Sequence, residues 1–179
     1  MKLNSEELRA ITPTEKDIQS IKRNEIYIIL DNVLDTYNVG AIFRLADAVG
    51  VKKIYLCGGT ETPPNSKIKK ASVNTWQWTN WEYVPKTIEA IEKVRKEIPN
   101  ITVIAVELDE KSVPYDTFNY QLPLALIVGH ETTGSPQEVL EKCDAIVELP
   151  MLGINTSLNV MVSLGIVLYK VIEKTLISK

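Results

Sequence analysis

Histidine occurs once in this chain of 179 residues, at His130, and cysteine twice, at Cys57 and Cys143. A zinc site needs three or four Cys, His or acidic ligands at short, recurring spacing, so no metal is expected, and both thiols are read as reduced and buried. The scarcity of histidine also disfavours a Ser-His-Asp hydrolase, and the nucleophile elbow G-x-S-x-G is missing as well. Neither G-x-G-x-x-G nor G-x-x-x-x-G-K-[ST] occurs, which disfavours the standard dinucleotide and P-loop enzymes. A basic excess is lacking too. With 20 Lys and Arg against 23 Asp and Glu, the net charge of -3 argues against a protein that grips nucleic acid over its whole surface.

The N-terminal stretch MKLNSEELRAITPTEKD has no apolar core of the kind a signal peptide requires, so a cytoplasmic protein is expected. Charge is absent from one long run, Leu149 to Tyr169. Pro150, Gly153 and Asn155 interrupt it, and the helical stretch after Ser157 is too short to cross about 30 Å of hydrocarbon, so it reads as a buried helix and not as a membrane span. At its start Asn155, Thr156, Ser157 and Asn159 crowd into one turn, although a helix start needs only one capping side chain. That surplus marks the junction as a candidate ligand site.

A hydrophobic fraction of 45% suits one globular domain over residues 1–179, with residues 1–24 as an N-terminal helical extension that Pro13 divides into two short pieces at most. Strand and helix patterns then alternate. Glu25 to Leu30, Lys53 to Cys57, Ile101 to Val106, Leu124 to Val128 and Ala145 to Leu149 are short apolar runs that read as buried strands. Helices are expected after Asn38 as cap, ending at Gly50, and over 86–96, 134–143 and 157–173. The stretch from Gly58 to Trp81 lacks a clean period; so long a connection is functional or partly helical. Its lysines, Lys67, Lys69 and Lys70, with Lys52 and Lys53 upstream, form either a local basic face or an ordinary solvated surface. Trp76, Trp78 and Trp81 either stack on splayed bases or, the commoner case, pack in a core or interface.

Such alternation implies an α/β fold with a mainly parallel sheet flanked by helices. Ligands of these sheets lie beyond the C-terminal strand ends, which selects the loops 31–38, 129–134 and 149–157. Asn38, Arg44, Glu131, Ser157 and Asn159 fall in or beside them. Each has an ordinary explanation: Asn38 as a helix cap, Arg44 paired with Asp47 or another surface carboxylate, Glu131 as an acid favoured by a helix dipole. As a set on one rim they are better explained by use. An Arg facing a Glu would form a charge-assisted pair that fixes the guanidinium, and Gly129, Gly134 and Gly153 would let backbone approach a ligand.

Three blocks then carry a specific resemblance. DNVLDTYNVGAIFRLADAVGVKKIYLCG, LALIVGHETTG and LPMLGINTSLNVMVSLGIVLY resemble, in order, the three motifs of the SpoU/TrmH branch of the SPOUT RNA methyltransferases. Asn38 and Arg44 stand at the signature positions of the first, Gly129, Glu131 and Gly134 in the second, Ser157, Leu158 and Asn159 in the third. The resemblance implies a C-terminal trefoil knot, which no periodicity indicates, and a homodimer. It implies S-adenosylmethionine as cofactor, contacting Val106, Gly129, Leu149, Met151 and Leu158, and methyl transfer to a ribose 2′-hydroxyl of RNA, tRNA first and rRNA second. Asn38, Arg44, Glu131, Ser157 and Asn159 are then the catalytic set. Arginine is a poor general base, so Arg44 is expected also to stabilise the forming alkoxide or the target phosphate.

The chain departs from the family at Ser135 and Pro136, where an apolar residue usually follows Gly134, and in KKASVNTWQWTNW, where relatives carry a more regular Gly/Ala stretch. No appended RNA-binding domain is expected, so the substrate is not legible. The alternative is a catalytically silent RNA-binding relative, which the intact polar set disfavours. A metabolic enzyme binding a nucleotide-like ligand is disfavoured by the missing phosphate loops. The closing helix, apolar on nearly every side, independently favours a homodimer.

Overall fold

The structure is a computed structural model and describes residues 12–177. The first of the two expected N-terminal helical pieces lies outside these residues. The second is α1 (Glu15–Ser20), which opens with a reciprocal capping box between Thr14 and Asp17.

Seven strands form one sheet: β1 (Asn24–Asp31), β2 (Val51–Cys57), β3 (Trp81–Val84), β4 (Thr102–Val106), β5 (Val113–Pro114), β6 (Leu124–Val128) and β7 (Ala145–Glu148). Their order across the sheet is β3-β2-β1-β6-β4-β7-β5 and every pairing is parallel. The helices are α2 (Thr36–Ala48), α3 (Ser66–Ser72), α4 (Thr87–Glu97), α5 (Gln137–Leu140) and α6 (Val160–Ile172).

Strand alternation divides the core between the two faces. On β1, Ile26, Ile28 and Leu30 pack with residues of α2, α3 and α6, including Ile42, Phe43, Ile68, Leu164 and Leu168. Tyr27 and Ile29 point the other way, onto Ala90, Ile91 and Val94 of α4. A central strand covered on both faces must be apolar throughout, and the last six residues of β1 are buried. The parallel sheet flanked by helices is thus as the alternating pattern implies. The knot belongs to what the resemblance implies and does not follow from strand order.

The 58–81 stretch is partly helical, one of the two alternatives its length left open. Asn65 caps α3, and a 3-10 turn (Thr75–Gln77) follows. The tryptophans take the packing reading: Trp76 and Trp81 lie against the main core, and Trp78 donates Nε1–H to Asp47 at 2.7 Å. Lys52 and Lys53 are paired with Glu25 and Glu82. Lys67, Lys69 and Lys70 are exposed and form no ion pair with the described residues. Cys57 is buried but Cys143 only half so, and burial pushes both thiols up to about 12. No helix among the described residues is long and apolar enough to cross a membrane.

Candidate active site

All strands being parallel, the C-terminal ends of β1, β4, β6 and β7 bring four loops to one edge. A cavity of about 310 Å³ lies between the loops after β4, β6 and β7 and the start of α6. Val106, Gly129, Leu149, Met151 and Leu158, the five expected cofactor contacts, all line it, together with Glu131 and Ser157. Glu107, His130, Thr156 and Val160 line it too. Among the described residues, two carboxylates and no lysine or arginine border this space, so it favours a ligand with positive charge.

Glu131 does not pair with Arg44. Its carboxylate accepts from the backbone N–H of Leu34 (3.1 Å) and Asp35 (2.9 Å) and from the Asn38 amide (3.2 Å). Burial opposes its ionisation, yet the N–H groups of Asp35 and of Glu131 itself, the Asn38 amide and the Leu34 N–H outweigh that and hold its carboxyl below the usual carboxylate range.

Asn38 is not the cap of α2. Asp35 is, accepting from Tyr37 N–H at 2.8 Å, while Asn38 sits in the first turn and is 7% exposed. Its amide NH₂ serves Glu131, and its Oδ1 accepts from the Asn159 amide at 3.1 Å. Asn159 in turn caps α6, accepting from Met161 and Val162 N–H at 3.0 and 3.3 Å, so α6 begins three residues later than the expected start at 157. One polar chain therefore links the loop after β6, the first turn of α2 and the start of α6. Ser157 stands beside it, its hydroxyl and N–H both donating to Asn155 Oδ1 at 3.2 Å, which gives Asn155 the structural task that the sequence left open.

Arg44 is the member the structure sets apart. Six residues beyond Asn38, it lies about 9 Å along α2 and about 120° around it. It is exposed and makes no hydrogen bond or ion pair with the described residues, and Asp47, its expected surface partner, is engaged by Trp78.

Glu107 was not legible as a site residue. Its Oε2 accepts from Ser135 N–H at 3.0 Å, and a Cβ on Gly134, whose φ is +65°, would stand 2.3 Å from that oxygen. Glu107 follows β4 just as Glu131 follows β6. The strand-end rule would have found it had the position of β4 beside β6 been known.

A parallel α/β sheet with a half-apolar, acid-bordered cavity at its C-terminal edge defines a small-ligand-binding class in which the catalytic groups come from loops. Comparison narrows the class. Residues 25–169 match the SpoU rRNA Methylase family, and the chain belongs to it. It is 31% identical over 160 residues to the tRNA (guanosine(18)-2'-O)-methyltransferase of Aquifex aeolicus, covering 87% of this chain and 72% of that protein. To the 23S rRNA (guanosine-2'-O-)-methyltransferase RlmB of Acinetobacter baylyi it is 26% identical, covering 90% of this chain and 66% of the other. The crystal structure of an AdoMet-bound rRNA methyltransferase from Sinorhizobium meliloti superimposes with a TM-score of 0.77 at 29% identity, over 93% of this chain and 59% of that one.

Proposed function

We propose that this protein transfers the methyl group of S-adenosylmethionine to a ribose 2′-hydroxyl of RNA. The carrying observation is the cavity at the sheet edge: it holds the five positions assigned to the cofactor and opens beside the Glu131–Asn38–Asn159 chain. The fit is chemical as well as spatial. Val106, Val128, Leu149, Met151 and Leu158 offer apolar surface to an adenine ring, while Glu107 and Glu131 suit a ligand that carries a sulfonium and an ammonium. When bound, the cofactor supplies an electrophilic methyl group.

The remaining work falls to this chain. A ribose hydroxyl is a weak nucleophile that must be held in line and relieved of charge. Glu131, Asn38 and Asn159 fix the cavity wall, Ser157 presents a hydroxyl within it, and Arg44 clamps the target phosphate or forming alkoxide. Because Arg44 stands apart in the protomer, it must be brought to the site by the substrate or by a second copy. A homodimer supplies that copy, and α6 supplies the surface: Val162, Ile166 and Tyr169 are 36%, 38% and 54% exposed along one face. Lys67, Lys69 and Lys70, exposed on α3, add a place for RNA phosphates.

The relatives named above act on tRNA and on rRNA, and tRNA is the first substrate to test. Labelled cofactor is incubated with tRNA and, separately, with rRNA, and the modified nucleotide is mapped. Transfer to a ribose oxygen is expected. Cofactor binding without transfer to either RNA would instead favour a silent RNA-binding relative.

A further inference from the structure

The turn that carries Glu131 is held by a residue the reaction does not otherwise use. Four consecutive N–H groups, from Thr132 to Ser135, each have an acceptor. Those of Thr132 and Thr133 donate to Nδ1 of His130 at 3.0 and 3.3 Å, that of Gly134 to the His130 carbonyl at 2.9 Å, and that of Ser135 to Glu107 at 3.0 Å. A ring nitrogen that receives N–H donors acts as an acceptor, which places the hydrogen of a neutral imidazole on Nε2.

We infer that His130 is a positioning residue for the methyl-transfer site: its unprotonated Nδ1 shapes the 130–135 turn so that Glu131 meets Leu34, Asp35 and Asn38, and protonation of the ring releases that turn. The inference rests on the methyltransferase reading. Proton uptake at Nδ1 turns an acceptor into a donor aimed at two other donors, and both backbone N–H groups lose their partner. Among the described residues, the charged groups that share the cavity wall with His130 are Glu107, directly after β4, and Glu131, from the same loop. The 149–158 segment and the start of α6 contribute no charged side chain to it.

His130 is the only histidine in the chain, so its two ring nitrogens are unambiguous in long-range ¹H–¹⁵N spectra of untagged protein. At about pH 8 the spectrum should show the Nε2–H tautomer. Calorimetric titration with S-adenosylmethionine over about pH 5.5–8 should show wild-type affinity falling roughly tenfold toward the acid end, in step with the ring titration. His130→Asn offers an amide oxygen that accepts from the N–H two residues on without titrating, and should keep high affinity that is flat with pH. His130→Ala, checked for folding by circular dichroism, should be weak throughout. The proposal is overturned by an Nδ1–H tautomer at about pH 8, by flat wild-type affinity, or by an Asn variant no better than Ala. A folded wild type that binds no S-adenosylmethionine at any pH overturns the methyltransferase reading itself, and the role of His130 falls with it.

Discussion

Glu131 shows how one carboxylate can hold two segments in place. Its three donors come from the β1–α2 loop and α2 itself, so Glu131→Ala strands a side-chain amide and two backbone N–H groups and should cost about 1–3 kcal/mol by denaturant titration. A carboxyl whose folded value lies below its ordinary 4.5 stabilises the fold fully above that value and loses the contribution as the pH falls below it. The stability gap between wild type and Glu131→Gln should therefore be constant above about pH 5 and shrink on further acidification. Arg44 yields the complementary test. Arg44→Ala should bind S-adenosylmethionine normally yet lose methyl transfer by at least about 100-fold. Arg44→Lys should recover little, since an ammonium lacks the planar fork; near-normal transfer by the Lys variant would refute the guanidinium's role.

At the scale of elements, α2 is the hinge between site and scaffold. Its first turn holds Asn38, while Gly40, one turn from the start, lies against α3: a Cβ there would come within 2.6 Å of Ala71 Cβ and 2.8 Å of the Ile68 carbonyl. Gly40→Ala should cost about 1–3 kcal/mol and lower Tm by several degrees in calorimetry. The elements that periodicity revealed are those with both a covered face and adequate length, such as β1, β6 and α4. The ones it did not reveal, β3, α3 and the two-residue β5, are short and take their stability from neighbours, β3 through its register with Ile54 to Cys57 of β2. Local pattern likewise placed Asn38 and Asn159 near helix starts but assigned the cap of α2 to the wrong residue, because Asp35 and Asn38 are equally good caps by composition. The Glu131–Asn38–Asn159 link joins positions 93 and 121 residues apart, and no local rule reaches that far.

At the scale of the molecule, α6 buries Val160, Leu164, Val167, Leu168 and Val171 in the core and leaves Val162, Ile166 and Tyr169 outside it. The proposed homodimer covers that stripe. Light scattering at micromolar concentration should give twice the chain mass, and Val162→Glu with Ile166→Glu should halve it without unfolding the protomer; a monomeric wild type would refute the interface.

The strand order also dictates when the molecule can close during synthesis. β1 pairs on one side with β2, which follows it directly, but on the other with β6, whose first residue is Leu124. A nascent chain carrying only the first half of the sequence holds β1, whose residues from Ile26 onward are buried in the finished fold, with one edge open, waiting through β3, α4, β4 and β5 for its neighbour. Such non-local pairing is slow and leaves an unpaired edge that invites other chains. Fragments that end before Leu124 should therefore aggregate, whereas the whole chain, once β6 has emerged, seals that edge in a single step.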